Sequence, residues 1–257
     1  RFGRANWLGV WTLIKRENMR YLAIWQQTIF APLVTAGLFL LVFSIAIGPN
    51  RADVMGFGYV AFLAPGLLMM TVIQNSFANT SSSMLSAKVM GSIVDTLMPP
   101  LSPMEMTLGF LAGGIGRGLM IGLVLLLAMG ITLGVWPAHL LWTLVFVLMG
   151  GMFMGALGLL GGIFAYKFDQ MAAISNFVVT PLAFLSGTFY SITALPEILQ
   201  PVTRANPMFY IIDGGRFGVL GVSDSGPWTA LVVITVANIF AVSLVWVWFS
   251  RGYRLKS

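Results

Sequence analysis

Between Gly118 and Tyr166 the chain runs 49 residues without a charged side chain. A membrane-crossing helix needs about 20 apolar residues, so this run holds two of them. Gly134-Val135-Trp136-Pro137-Ala138-His139 is where the run must turn, because it gathers the helix breakers. Other windows repeat the pattern. Tyr21–Asn50 and Val54–Ala87 carry no charge, and Gln170–Pro196 and Ser225–Ser250 are long and apolar. The spacing predicts six membrane helices over 22–50, 55–80, 104–134, 138–166, 170–190 and 226–250, in one transmembrane domain spanning 1–257. The fold class is an all-α membrane protein.

Composition agrees. Charged residues are 9% and hydrophobic residues 58%, against about 25% charged in a soluble domain. The absence of cysteine excludes disulfide and thiolate chemistry. A formal charge of +6 would suggest nucleic acid in a soluble protein. Here Lys and Arg gather at helix ends, so membrane topology accounts for them and no nucleic-acid partner is expected. With the N-terminus inside, the inner face holds Arg1, Arg4, Lys15, Arg16, Arg20, Lys88, Lys167, Arg251, Arg254 and Lys256, and the outer face only Arg51, Arg204 and Arg216. This places both termini in the cytoplasm of a multi-pass membrane protein. The sequence begins on Arg1 rather than Met, so a few natural residues are expected before it.

Three segments are not spans. Residues 1–21 are basic and amphipathic, with Trp7, Val10, Trp11, Ile14 and Tyr21 on one face and Arg4, Arg16 and Arg20 off it. That is the pattern of an interfacial helix. On the same side, Ser81–Glu105 predicts a short amphipathic helix over 84–98, ended by Pro99, Pro100 and Pro103. The third segment, Pro181–Gly221, is greasy yet broken by Gly187, Pro196, Pro201, Pro207, Gly214 and Gly215. It is expected to dip into the outer face as a re-entrant hairpin over 191–221, with Glu197, Arg204, Asp213 and Arg216 on its water-facing rim. Non-helical backbone at that depth needs protein or a water-filled cavity around it.

Catalytic and nucleotide motifs are missing. No phosphate-binding loop, G-x-S-x-G or H-E-x-x-H occurs, and the single histidine, His139, has no second His or Cys with which to hold a metal. The Gly113–Gly118 run and Gly151, Gly155, Gly158 and Gly162 are read as helix-packing positions. Acidic residues sit near the predicted membrane boundaries, so an ion-driven carrier lacks its intramembrane acids. Arg117 is the one ionisable group inside a predicted span. It has two readings: snorkelling to the inner interface, or attraction of an anionic headgroup. The amides Gln26, Asn75 and Asn176 and the aromatics Phe30, Tyr59, Phe62 and Phe184 either pack helices or line a route for substrate.

The chain resembles the membrane subunit of ABC-2 type exporters. The resemblance is carried by Pro181-Leu182-Ala183-Phe184-Leu185-Ser186-Gly187-Thr188-Phe189-Tyr190, Leu195-Pro196, Asn206-Pro207 and Asp213-Gly214-Gly215-Arg216, with Asp95-Thr96-Leu97-Met98-Pro99-Pro100 on the cytoplasmic side. It is similar in particular to compact bacterial permeases, including those linked to nodulation oligosaccharide export. The resemblance implies a homodimer in the inner membrane above two cytoplasmic ABC ATPase subunits, which bind ATP and Mg; this chain would hold no cofactor or metal and catalyse nothing itself. The Ser86–Met98 helix would couple to the ATPase through Lys88, Ile93, Asp95, Leu97 and Met98. The first, second and fifth spans would line the pathway, and Phe189, Tyr190, Pro196, Phe209 and Tyr210 would form the exit gate. The implied activity is export of a lipid-linked, glycan or amphipathic drug-like substrate. A channel or scaffold that needs no ATPase is the alternative.

Overall fold

A computed structural model of the chain describes residues 6–46 and 53–254. Arg1, Arg4, Arg51, Lys256 and the end of the first expected span lie outside the described residues.

The chain is a bundle of helices: α1 (Trp7–Leu22), α2 (Trp25–Ala46), α3 (Tyr59–Val89), α4 (Ile93–Leu97), α5 (Pro103–Leu133), α6 (Leu140–Phe164), α7 (Phe168–Ile174), α8 (Thr180–Phe184), α9 (Gln200–Ala205), α10 (Pro207–Leu220) and α11 (Pro227–Arg251). Among the described residues five helices are long and apolar enough to cross a membrane: α2, α3, α5, α6 and α11. The segment expected as one helix over 170–190 is instead α7, a π-helical turn over Ser175–Val179, and α8. Pro181 has no N–H to give the carbonyl of Phe177, so the regular ladder fails there. The Thr180 hydroxyl donates to the Ser175 carbonyl at 2.9 Å across the widened turn.

The helix expected to fade near residue 80 runs on to Val89. Its Ser, Thr and Asn run is no loop, because the hydroxyls donate back to helix carbonyls and outward to neighbours. Thr80 reaches the carbonyl of Gly155 on α6 at 2.8 Å, and Ser83 reaches Glu17 on α1 at 2.6 Å. The expected helix over 84–98 is therefore divided. Its first part belongs to α3, Gly91 turns the chain at φ +72°, and only Ile93–Leu97 forms a separate short helix.

α3 is the central post, packed mainly against α5 and α6. Small residues set that spacing. A Cβ on Gly158 of α6 would overlap the Thr80 hydroxyl and the Phe77 carbonyl of α3, and one on Gly118 of α5 would overlap the Ser76 hydroxyl. The glycine stripes are packing seams, as their spacing predicts. α1 lies against the start of α5, where Asn6 caps α1 by accepting from the Gly9 amide at 3.0 Å. The Asn6 amide donates to Glu105 at 2.6 Å. Ser102 and Glu105 form a capping box at the start of α5, so one carboxylate joins both helix starts. α1 buries only one edge of the face its tryptophans define: Val10 and Tyr21 are buried with Leu13 and Glu17, while Trp7 and Trp11 are exposed.

The glycine seam yields a test by thermal melting of purified protein. Gly158→Ala lowers the melting temperature, by overpacking worth about 1–3 kcal/mol. Gly37→Ala, where no atom lies within 4 Å of an added Cβ, does not lower it.

Candidate functional site

Three groups of residues stand out, at three levels of α3. The first, near the start of α3, is a clamp around Arg216, which is fully buried with Asp213. Both were expected on a water-facing rim, and the structure corrects this. Gly214 and Gly215 explain the difference. A Cβ on Gly214 would overlap the Phe146 ring of α6, and one on Gly215 would overlap Met69 of α3. The paired glycines let α10 sink between α3 and α6 and carry its charges in with it.

The buried charges are then compensated locally, though Arg216 Nε and Nη1 make no hydrogen bond. Arg216 Nη2 donates to the Gly187 carbonyl at 2.6 Å, and its guanidinium lies 4.1 Å from the Phe62 ring centroid. Its distance to Asp213 is 3.9 Å. Asp213 accepts from the amides of Asp224 and Ser225 at 2.8 and 2.9 Å and from the Ser225 hydroxyl at 2.6 Å. Asp224 in turn accepts from the Ser191 hydroxyl and the Ile192 amide. One buried pair thus ties the end of α8, the start of the 191–221 segment, α10 and the turn before α11 together. At the other end of α10, the amides of Ala138 and His139 donate to the carbonyls of Val219 and Gly218 at 3.0 and 2.8 Å. His139 also stacks on Phe217.

The expected gate residues divide into two sets. Phe189 packs with Phe39, Phe43 and Phe184, and its carbonyl accepts from the Tyr59 hydroxyl at 3.2 Å. Tyr190 is half-buried nearby, and its hydroxyl reaches the Phe184 carbonyl. Phe209 and Tyr210 line a separate cavity of about 200 Å³ with Arg204 and Asp224, between the 191–221 segment and α11. Pro196 is exposed at the tip.

The middle level is a polar pocket of about 290 Å³ between α2, α3 and α5, lined by Gln27, Thr35, Thr71, Gln74, Asn75 and Arg117 among others. Arg117 Nη2 donates to Asn75 Oδ1 at 3.0 Å, and Asn75 Nδ2 donates to the Thr71 carbonyl at 3.0 Å. Of the residues expected along a substrate route, Asn75 and Arg117 meet here. Gln26 and Phe30 on α2, Asn176 in the π-turn and Phe184 on α8 are exposed on the outside of the chain. Tyr59 and Phe62 are buried; Phe62 is the ring beneath Arg216, while Tyr59 edges a separate open pocket of about 370 Å³ with Gly58, Ala61 and Val135.

The innermost level is cytoplasmic in the expected topology. Arg16 donates to Thr96 of α4 at 2.9 Å and to Glu17 at 3.1 Å. Arg20 donates to the side chain and carbonyl of Asn79 at 2.8 and 2.6 Å. Glu17 is 1% exposed. It was not singled out in the sequence, although Arg16 and Arg20, one and three residues away, are the signal for it. Burial pulls the Arg20 guanidinium below its ordinary pKa, while Glu17 beside it acts in the opposite direction. Lys88, expected on the coupling surface, is buried instead. Its ammonium caps the end of α6, donating to the carbonyls of Gly162, Ile163 and Ala165 at 3.3, 2.6 and 2.7 Å. Ile93 is also buried, whereas Asp95, Leu97 and Met98 are exposed. With Met90 and Val94 they form an exposed, largely apolar tip. An open groove of about 830 Å³ runs beside it, lined by Arg16, Arg20, Ser86, Met90 and Asp95 among others.

Among the described residues, five apolar helices of crossing length around a polar pocket define an integral membrane protein. The sequence profile of the ABC-2 type transporter family matches residues 9–220, and the chain belongs to that family. It is 36% identical over 255 residues to the inner membrane transport permease YadH of Escherichia coli K12, with 98% of both chains covered. It is 26% identical over 247 residues to nodulation protein J of Sinorhizobium fredii, covering 92% of this chain and 88% of that protein. Against nodulation protein J of Rhizobium meliloti the identity is 24% over 220 residues, covering 84% and 82%. The family resemblance seen in the sequence is borne out. The chain is a multi-pass inner-membrane protein and a membrane transport subunit.

The clamp makes a test. Arg216→Leu leaves Asp213 buried without its cation, and breaking a buried pair from one side costs about 3–5 kcal/mol. The expected result is a large fall in folded yield and melting temperature. The double substitution Asp213→Asn with Arg216→Leu recovers part of it.

Proposed function

We propose that this chain is the permease subunit of an ATP-driven exporter, acting as a homodimer with two cytoplasmic ABC ATPase subunits that hold ATP and Mg. The observation that carries the reading is the match of the family profile to residues 9–220, joined to similarity along the whole length to an inner membrane transport permease. The cargo class follows the family: a lipid-linked, glycan or amphipathic drug-like molecule moved outward from the cytoplasm or inner leaflet. In this reading both termini are cytoplasmic. Residues 170–190 make the fifth of six crossings, and 191–221 form a re-entrant hairpin at the outer exit.

Several features support it. The helical stretch 168–184 is ~25 Å long at 1.5 Å per residue. Met171 at its start packs under Gly161, and the chain reaches the outer end of α3 where Tyr59 meets the Phe189 carbonyl. From Ile192, held beside Asp224, the chain passes to Asn206, whose amide donates to the Leu182 carbonyl at 2.8 Å. It then returns along α10 to Leu220. Entry and exit on one face account for this path, with the gate residues Phe189, Tyr190, Pro196, Phe209 and Tyr210 along it.

The docking surface in this reading is the tip Met90, Val94, Asp95, Leu97 and Met98 with the groove beside α1. A protruding apolar tip beside a groove of mixed charge, lined by Arg16, Arg20, Glu17 and Asp95 among others, suits a socket on a water-soluble partner. Lys88 and Ile93 hold the tip in place from behind.

The test is reconstitution with an ABC ATPase subunit from the same organism. Met90→Glu with Met98→Glu is expected to leave membrane insertion and dimer size intact while lowering co-purification and transport-coupled ATP hydrolysis by about tenfold or more, as loss of an interface anchor does. Normal coupling in that variant, or full transport by the chain with no ATPase present, would overturn the proposal and favour a partner-free channel or scaffold.

A further inference from the structure

Arg117 is a cation at membrane depth with no acid to answer it. It lies ~21 Å along α5 from Pro103 and ~24 Å from Leu133, at 1.5 Å per residue. It joins no ion pair among the described residues, and no residue lining its pocket is acidic. Asn75 takes one of the five N–H donors of its guanidinium, and Nε is buried without a partner.

The rest of the lining is equally unspent. The side-chain amides of Gln27 and Gln74 make no hydrogen bond to any described residue. The hydroxyls of Thr35 and Thr71 donate back to their own helices, at 2.8 and 2.7 Å, so their lone pairs are what they can offer the pocket. An ionisable side chain inside a span is costly and faces either a partner or a cavity. Here the partner is missing and the cavity is present. α2, which forms one wall, is exposed along most of its length, so the pocket stands beside a surface that lipid can reach.

We infer that this pocket binds an anionic phosphate headgroup, with the Arg117 guanidinium taking two phosphate oxygens and the Gln27 and Gln74 amides donating to the others. Arg is suited to this because its planar fork matches phosphate geometry. The inference rests on the transport reading and deepens it. The site would select cargo, or a lipid travelling with it, by a phosphate group at the inner-leaflet end of the route. Asn75 is a positioning residue, since it fixes the guanidinium from α3 while the free donors stay available.

The experiment is native mass spectrometry of the full chain without ATPase, so that its failure is separate from any failure of coupling. The probes are phosphatidylglycerol, diacylglycerol with the same acyl chains, and soluble glycerol phosphate. The wild type is expected to retain phosphatidylglycerol over diacylglycerol by about tenfold or more, the size of one charge-assisted hydrogen bond. Arg117→Gln should lose that preference, Arg117→Lys should keep much of it, and Lys15→Gln, which removes an equal charge from an exposed position, should leave it unchanged. Should Arg117→Gln not fold, Gln27→Leu with Gln74→Leu leaves the Arg117–Asn75 contact intact and should weaken the preference several-fold. Displacement by glycerol phosphate marks a site that reads the phosphate alone. Failure to displace, with the lipid preference intact, marks one that reads phosphate and acyl chain together. Equal retention of the two lipids by the wild type, or a preference unchanged by the pocket substitutions, overturns the inference.

Discussion

Burying Arg216 is the constraint on which the outer half of the molecule depends. An unpaired guanidinium in an apolar interior costs several kcal/mol, so everything around it must supply compensation. Phe62 offers a ring face, Gly187 a carbonyl and Asp213 a countercharge. Asp213 is itself held by two amides and a hydroxyl from the turn before α11. Each of these groups comes from a different part of the chain. None of the parts can move far without exposing a charge to apolar surroundings, so the 191–221 segment is fastened to α3, α8 and α11 at one point.

α3 connects that point to the rest. At ~46 Å for its 31 residues, it passes the clamp at Phe62 and Met69, the pocket at Thr71, Gln74 and Asn75, the α1 cluster at Asn79 and Ser83, and the exposed tip at Met90. Glycine-lined seams with α5 and α6 leave little room for it to bend. In the proposed exporter, a push on the tip is therefore carried by one packed helix past the pocket to the outer clamp. The α1 cluster works with it, since Arg16 reaches α4 and Arg20 reaches α3.

Much of this was legible in the sequence. The charge-free windows locate five crossing helices, because a bilayer allows few alternatives to a long apolar helix, while the window over 170–196 is broken at the π-helical turn. The glycine stripes were packing seams, as their spacing implies. Less legible was any polar group whose partner lies far along the chain. The Ser/Thr/Asn run near residue 80 reads as a helix end, yet its partners Glu17, Arg20 and Gly155 make it the core of one. Asp213 and Arg216 read as a rim because charges usually are one; only the Gly214–Gly215 pair between them hints at a helix that sinks inward. Lys88 reads as a surface cation, and nothing nearby reveals the three α6 carbonyls that take it in.

The central claim is that residues 191–221 enter and leave on one face, held there by the Arg216 clamp. Residues 1–257 contain no cysteine, so single cysteines can be labelled from each side of the intact membrane with an impermeant maleimide. Ile198→Cys, Ser223→Cys and Trp136→Cys are predicted to react from outside the cell, and Met98→Cys only after the membrane is opened. Ile198→Cys and Ser223→Cys reacting from opposite sides would contradict the account, because the segment would then cross the membrane.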